Sequence, residues 1–99
     1  MAKVLVIDDE PMIREVLARL LSLLGHAVIL ANDGNQGIAI AKEKHPDLVF
    51  LDLSLPDLPG MEVLLRLTQC NPSIQVVICS GLGSDQVVNR LAQGQRLAF

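Results

Sequence analysis

Aromatic residues are almost absent from this 99-residue chain, which has two Phe and neither Trp nor Tyr. A surface that stacks single-stranded nucleic acid on aromatic rings is therefore not expected. Basic residues are also few, because eight Lys and Arg stand against eleven Asp and Glu, for a net charge of −3. The arginines lie singly along the chain and form no basic stripe. Direct binding of nucleic acid by this segment is thus disfavoured.

Long hydrophobic runs and disulfide spacing are lacking as well. The apolar runs are short, as in residues 4–7, whereas a membrane span needs about 20 residues. Cys70 and Cys79 do not form a CxxC pair, so we predict free thiols in a reducing compartment. No signal-peptide pattern is present. Since 51% of the residues are hydrophobic, the composition excludes disorder. The length predicts one domain over residues 1–99. With the free thiols, the missing signal peptide and the short apolar runs, we expect this domain to be cytoplasmic and without a membrane contact.

Strand and helix patterns alternate four times along the chain. Pro11 is suited to the first position of a helix, and Gly25 to the residue that follows its end. Met61, Leu64 and Leu65 are predicted to mark the core side of the third helix. The predicted strands are residues 3–7, 27–31, 48–51 and 75–79, the second helix is 36–44, the fourth is roughly 84–93, and a fifth strand starts near 96. This order predicts a doubly wound parallel α/β sheet.

Polar residues directly follow three of the predicted strands. Asp8 and Asp9 follow the first strand, Asp52 the third and Ser80 the fourth. A single Asp in such a position is usually a helix cap or a loop residue, but the joint pattern is more informative. If the first and third strands are neighbours, three carboxylates converge and repel one another unless a cation neutralises them. Because the ligands are all oxygen atoms, we expect the cation to be Mg²⁺. One carboxylate could then act as a nucleophile toward a phosphoryl group.

Three stretches resemble the receiver domain of bacterial two-component response regulators, which has the CheY-like fold. They are VLVIDDEP at 4–11, DLVFLDLSLPDLPG at 47–60 and VVICSG at 76–81. The resemblance implies a flavodoxin/CheY-like sheet with strand order 2-1-3-4-5. Here the fifth strand is incomplete and the fifth helix is missing. The resemblance also implies a domain that assists its own phosphorylation and dephosphorylation and is not otherwise an enzyme.

The resemblance further implies a role for each matching residue at the phosphoryl site. Asp52 accepts a phosphoryl group from the phosphohistidine of a sensor kinase or phosphotransfer protein. Asp9 binds Mg²⁺ directly, Asp8 binds it through water, and Ser54 offers its backbone carbonyl. Ser80 contacts the phosphoryl oxygen and moves with the fourth helix to signal to a downstream effector domain or protein. The residue after Ser80, Gly81, leaves room for access.

The sequence departs from the family pattern at its C-terminal end. The family's lysine on the fifth strand would come after Phe99, where this sequence ends. We therefore expect a fragment of a longer regulator whose uncovered apolar edge favours self-association. The missing lysine leaves open a pseudo-receiver, a scaffold that is not phosphorylated. A metal-dependent phosphohydrolase is disfavoured because residues 53–55 add no second acid. Asp33, Asp47 and Asp57 are expected to be loop or turn acids.

Overall fold

The computed structural model describes residues 2–79. Strands and helices alternate along this segment, as the sequence pattern predicts. In chain order the elements are β1 (Lys3–Ile7), α1 (Pro11–Leu23), β2 (Ala27–Ala31), α2 (Gly34–Lys44), β3 (Leu48–Leu51), α3 (Gly60–Cys70) and β4 (Gln75–Ile78). The predicted fourth helix and fifth strand lie outside the described residues. None of the three described helices is long and apolar enough to cross a membrane.

The four strands form one parallel sheet in the order β2-β1-β3-β4. This order confirms the predicted arrangement of the first four strands. β1 and β3 are neighbours, and Ile7 at the end of β1 is in register with Leu51 at the end of β3. The residues that follow these two strands therefore emerge side by side at one edge of the sheet.

Helices cover both faces of the sheet, as its nearly continuous apolar strands require. Alternate residues along each strand point to opposite faces, so the buried side chains form two clusters. The first contains Leu5, Ile7, Val49, Leu51 and Val76 from the sheet with Ile38 and Ala41 of α2 and Val63 and Leu67 of α3. The second contains Val4, Val6, Phe50 and Val77 from the sheet with Leu17 and Leu21 of α1.

The first helix begins and ends at the predicted residues. Pro11 takes the first position of α1, where its missing N–H costs no hydrogen bond. Gly25 follows the helix with a φ of +88°, a conformation that favours glycine. Leu24 continues the apolar series of α1 in the sequence, yet it is 65% exposed. Its exposure follows from the end of α1 at Leu23.

The second helix begins at Gly34, earlier than the predicted start at residue 36. Asp33 is its N-cap, and the Oδ1 atom of Asp33 accepts a hydrogen bond of 2.8 Å from the backbone N–H of Gln36. This bond satisfies one of the N–H groups that the first turn of a helix leaves unpaired. This cap explains why α2 starts two residues before the predicted position.

The predicted core side of the third helix is wrong at two positions. Met61 is 52% exposed and Leu65 is 54% exposed, while Leu64 is only partly buried. The buried residues of α3 are instead Val63 and Leu67, which contact the sheet. One feature that fixes this orientation is Gly60 at the start of α3, because a Cβ there would lie 2.3 Å from the Cα of Leu53.

Candidate functional site

Three aspartates meet at the carboxyl edge of the sheet. Asp8 and Asp9 follow β1, and Asp52 follows β3. One carboxylate oxygen from each residue can be chosen so that all three atoms lie within 4.8 Å of one another. Asp8 is buried, Asp52 is half-buried and Asp9 is exposed. The site is thus anchored in the protein on one side and open to solvent on the other.

Asp8 is the most deeply placed acid of the three, with 6% of its surface exposed. Its Oδ1 atom accepts a hydrogen bond of 2.9 Å from the backbone N–H of Glu10. Burial raises the pKa of Asp8 to about 6, and the negative charges of Asp52, Asp9 and Glu10 add to this rise against the hydrogen bond from Glu10. Asp8 therefore carries negative charge near neutral pH at an energetic cost to the folded protein.

Asp52 has the same kind of environment but is more accessible. Burial raises its pKa above the ordinary value, and the charge of Asp9 and a hydrogen bond with its side chain raise it further. The opposing contribution is a hydrogen bond of 2.9 Å from the backbone N–H of Ser54 to Oδ1 of Asp52. This bond holds the Asp52 carboxylate in one orientation.

The residues present fit a divalent cation with a preference for oxygen ligands. All three side chains offer carboxylate oxygens, which suit a hard ion such as Mg²⁺ and not a soft thiolate-binding metal. The raised pKa values of Asp8 and Asp52 show negative charge that the protein itself does not fully compensate. A bound cation would offset the repulsion between the three carboxylates.

Cys79 lies beside the acids but is unsuited to chemistry with them. It is buried in the cluster under α1, and burial together with the charges of Asp8 and Asp52 raises the pKa of its thiol to about 12. The thiol therefore stays protonated near neutral pH and is a poor nucleophile and metal ligand. Cys79 is a free thiol, as the sequence predicts.

The predicted site residues divide into two groups. The structure brings Asp8, Asp9 and Asp52 together, and it places Ser54 in the loop that follows β3, with its N–H bonded to Asp52. A metal contact through the Ser54 carbonyl stays a prediction. Ser80 and Gly81 lie outside the described residues, so their roles also stay predictions.

Two further side chains, those of Arg14 and Asp57, make contacts that the sequence does not predict. The guanidinium of Arg14 donates a hydrogen bond of 2.8 Å from Nη1 to the backbone carbonyl of Asp8. The carboxylate of Asp57 accepts hydrogen bonds from the backbone of α2, at Gly34 and Asn35. The bonds of Asp57 have no local sequence signal, because they join segments more than 20 residues apart. The bond of Arg14 spans six residues, a spacing that belongs to no helical or strand periodicity. The interpretation of Asp57 as a simple loop acid misses these bonds.

Comparison with known proteins places this geometry in a family. The model for the response regulator receiver domain matches residues 4–96. TcrX, a probable transcriptional regulatory protein of Mycobacterium tuberculosis, is 39% identical over 89 residues, which cover 90% of this chain and 37% of TcrX. The chain therefore spans well under half the length of this relative.

Two solved structures show the same fold. The CheY-like receiver domain protein of Methanospirillum hungatei superposes with a TM-score of 0.80 at 25% identity, covering 95% of this chain and 76% of that one. TrrA of Thermotoga maritima, solved in complex with Mg²⁺-BeF, superposes with a TM-score of 0.79 at 23% identity, covering 94% and 98%. The family match extends over nearly the whole sequence and includes all three aspartates. This chain belongs to the response regulator receiver domain family.

Proposed function

We propose that this chain is a single receiver domain over residues 1–99 that accepts a phosphoryl group on Asp52. The donor is the phosphohistidine of a sensor kinase or phosphotransfer protein. The observation that carries the proposal is the convergence of Asp8, Asp9 and Asp52, with carboxylate oxygens within 4.8 Å, at the open edge of the sheet. Of the two acids with raised pKa values, Asp52 is the one that a partner can reach from solvent.

The proposed reaction is a phosphoryl transfer between two side chains. A carboxylate oxygen of Asp52 attacks the phosphorus, forming a P–O bond while the P–N bond to the partner's histidine breaks. The imidazole keeps the electron pair of the broken bond and takes up a proton from solvent. Asp52 must be ionised to attack, and its hydrogen bond from Ser54 N–H favours the ionised form and fixes its direction.

We propose Mg²⁺ as the cofactor, with Asp9 as a direct ligand, Asp8 as a ligand through water, and Asp52 and the Ser54 carbonyl completing the protein ligands. When bound, the ion supplies positive charge that offsets repulsion between the carboxylates and the phosphoryl oxygens. The oxygen donors at this edge support the assignment. TrrA, which shares the fold, was solved with Mg²⁺-BeF.

The output of the switch belongs to the same proposal. An aspartyl phosphate adds charge and strong hydrogen-bond acceptors, to which the Ser80 hydroxyl would donate while Gly81 leaves space beside it. A shift of the Ser80 loop and the fourth helix would then be sensed by a downstream effector domain or protein in the cytoplasm. The name of TcrX, a probable transcriptional regulatory protein, supports an effector of that kind in a longer regulator.

The proposal is tested by intact-mass spectrometry after incubation with acetyl phosphate and Mg²⁺. The parent chain should gain one phosphoryl group, and Asp52→Asn should gain none. Asp47→Asn is the matched control, since the Asp47 carboxylate also accepts a hydrogen bond from a backbone N–H, that of Lys3 at 2.8 Å. This variant should gain the phosphoryl group like the parent. Gain in Asp52→Asn would overturn the assignment of the acceptor. No gain in any variant would favour the pseudo-receiver scaffold.

Self-association through the C-terminal edge stays a prediction. Light scattering over a concentration series measures it directly. A mass that rises with concentration supports the prediction, and a constant monomer mass contradicts it.

A further inference from the structure

The loop between β3 and α3, residues 52–59, is attached to the start of α2 by Asp57. Oδ1 of Asp57 accepts a hydrogen bond of 2.9 Å from the N–H of Gly34. Oδ2 accepts one of 2.8 Å from the N–H of Asn35. Both donors belong to the first turn of a helix, where N–H groups lack partners within the helix and carry partial positive charge. Each oxygen of the Asp57 carboxylate thus accepts a hydrogen bond from its own backbone donor, and both donors belong to α2.

The start of α2 is also capped from its own sequence. Asp33 accepts from the N–H of Gln36 at 2.8 Å, and the side-chain oxygen of Gln36 accepts from the N–H of Asn32 at 2.6 Å. The bonds from Asp57 therefore add something that local capping does not provide, a connection between α2 and the loop after β3.

Apolar packing holds the loop at the same place. Leu58, next to Asp57, is partly buried against the core, and a Cβ added at Gly34 would lie 3.2 Å from the Cβ of Leu58. The loop backbone therefore lies close against α2. Desolvation raises the pKa of the Asp57 carboxyl, but backbone hydrogen bonds from Asn35, Gly34, Asp57 and Leu58 together outweigh it and hold the pKa below its ordinary value. Asp57 is therefore charged throughout the neutral range.

The other end of this loop lies in the acidic site. Ser54 donates its N–H to Asp52 at 2.9 Å, and the N–H of Gly60 donates to the carbonyl of Leu53 at 3.2 Å. The loop is thus fixed at both ends and, through Asp57, near its middle. Releasing the middle would allow the segment that carries Ser54 to move relative to Asp52.

We propose that Asp57 is a positioning residue for the acidic site, which holds the loop of residues 52–59 against α2 and so keeps Ser54 in place beside Asp52. It does not touch the metal or the phosphoryl group. The inference rests on the proposed function, because the property that Asp57 is expected to support is the binding of Mg²⁺.

The test is an isothermal calorimetry titration of the full chain with MgCl₂ alone. Outer-shell residues that orient metal ligands typically change metal affinity by about 10-fold or more, so Asp57→Ala should weaken Mg²⁺ binding about tenfold. Asp57→Asn keeps one acceptor oxygen and should give a smaller loss. Asp33→Ala weakens the cap of α2 without breaking the connection, and Asp47→Ala removes a similar bond to Lys3. Both controls should bind Mg²⁺ like the parent.

Amide NMR spectra provide a second measurement that does not depend on affinity. In Asp57→Ala the resonances of Gly34 and Asn35 should move upfield as their carboxylate acceptor is lost, and the response of the Ser54 amide to Mg²⁺ should change. If Asp57→Ala does not fold, the same two measurements on Asp57→Asn test the inference.

The outcomes separate this inference from the proposed function. Failure of the parent to bind Mg²⁺ overturns the proposed function and this inference with it. Tight binding by the parent and equally tight binding by the Asp57 variants, with shifted Gly34 and Asn35 resonances, overturns the inference alone. An equal loss in Asp33→Ala also overturns it, because the effect would then come from the stability of α2.

Discussion

The backbone N–H of Asp52 donates a hydrogen bond of 3.0 Å to the carbonyl oxygen of Ile7. This bond continues the pairing of β3 with β1 to the residue after the strand. Asp8 is held in the same way, by a bond of 3.2 Å from its N–H to the carbonyl of Ala31 at the end of β2. Two of the three acids are therefore positioned by the sheet itself, which explains how like charges are kept close together.

Stability without metal should fall as the pH rises through the acidic range. The pKa of Asp8 is about 6 in the folded chain against an ordinary 3.8, so the folded state keeps a proton that the unfolded state has lost. The free energy of unfolding should therefore decline between about pH 4 and about pH 6, by on the order of 2 kcal/mol, and stay low above that range. Urea unfolding at a series of pH values, in the presence of EDTA, measures the decline.

The variant Asp8→Asn isolates the contribution of this carboxyl. Asn keeps an acceptor oxygen for the Glu10 N–H but cannot ionise, so most of the decline should disappear and the variant should exceed the parent in stability at neutral pH. Asp47→Asn, in a different loop, should keep the parent's profile. An unchanged decline in Asp8→Asn would show that burial of Asp8 does not carry this cost.

Magnesium should stabilise the parent chain by mass action. An ion that binds only the folded state raises the free energy of unfolding by about 1.4 kcal/mol for each tenfold increase above its dissociation constant. Asp9→Asn removes a proposed direct ligand and should require at least about ten times more Mg²⁺ for the same gain. Urea unfolding with MgCl₂, compared with NaCl at matched ionic strength, excludes general screening. Equal gains from both salts, or in both proteins, would contradict the proposed site.

The sheet and its acidic edge follow from local sequence features. Residues 3–7 and 48–51 are continuous apolar runs that end in acids, and this pattern alone predicts buried parallel strands with carboxylates at one edge. The adjacency of β1 and β3 does not follow from the runs, and it came from the family resemblance. Strand order depends on which faces pack together over long distances, and local patterns do not record it.

Contacts between elements that are distant in sequence explain why the core side of α3 and the bonds of Asp57 were not predicted. The apolar series of α3 offers two overlapping core sides, one with Met61 and Leu65 and one with Val63 and Leu67. The close approach of Gly60 to Leu53 favours the second. The bonds of Asp57 to α2 join segments that are far apart in sequence, so nothing in the spacing around Asp57 indicates them.

The burial of α3 is tested by two substitutions on opposite sides of the helix. Val63 is fully buried and Leu65 is 54% exposed. Val63→Ala leaves a cavity in the core and should lower the free energy of unfolding by about 2 kcal/mol, whereas Leu65→Ala should change it by less than about 0.5 kcal/mol. Urea unfolding of both variants compares them directly. A larger loss in Leu65→Ala would restore the orientation predicted from the sequence.

Two glycines make separate demands on the chain, and alanine distinguishes them. A Cβ at Gly60 would lie 2.3 Å from the backbone Cα of Leu53, whereas a Cβ at Gly25 meets nothing within 4 Å. Gly25→Ala should therefore cost only the strain of its positive φ, about 1 kcal/mol. Gly60→Ala must move the backbone of the loop after β3 and should cost more, about 2–3 kcal/mol. Because that loop carries Ser54, Gly60→Ala should also weaken Mg²⁺ binding, while Gly25→Ala should not. Unfolding curves and MgCl₂ titrations of both variants provide the comparison, and equal losses of stability would contradict the close contact at Gly60.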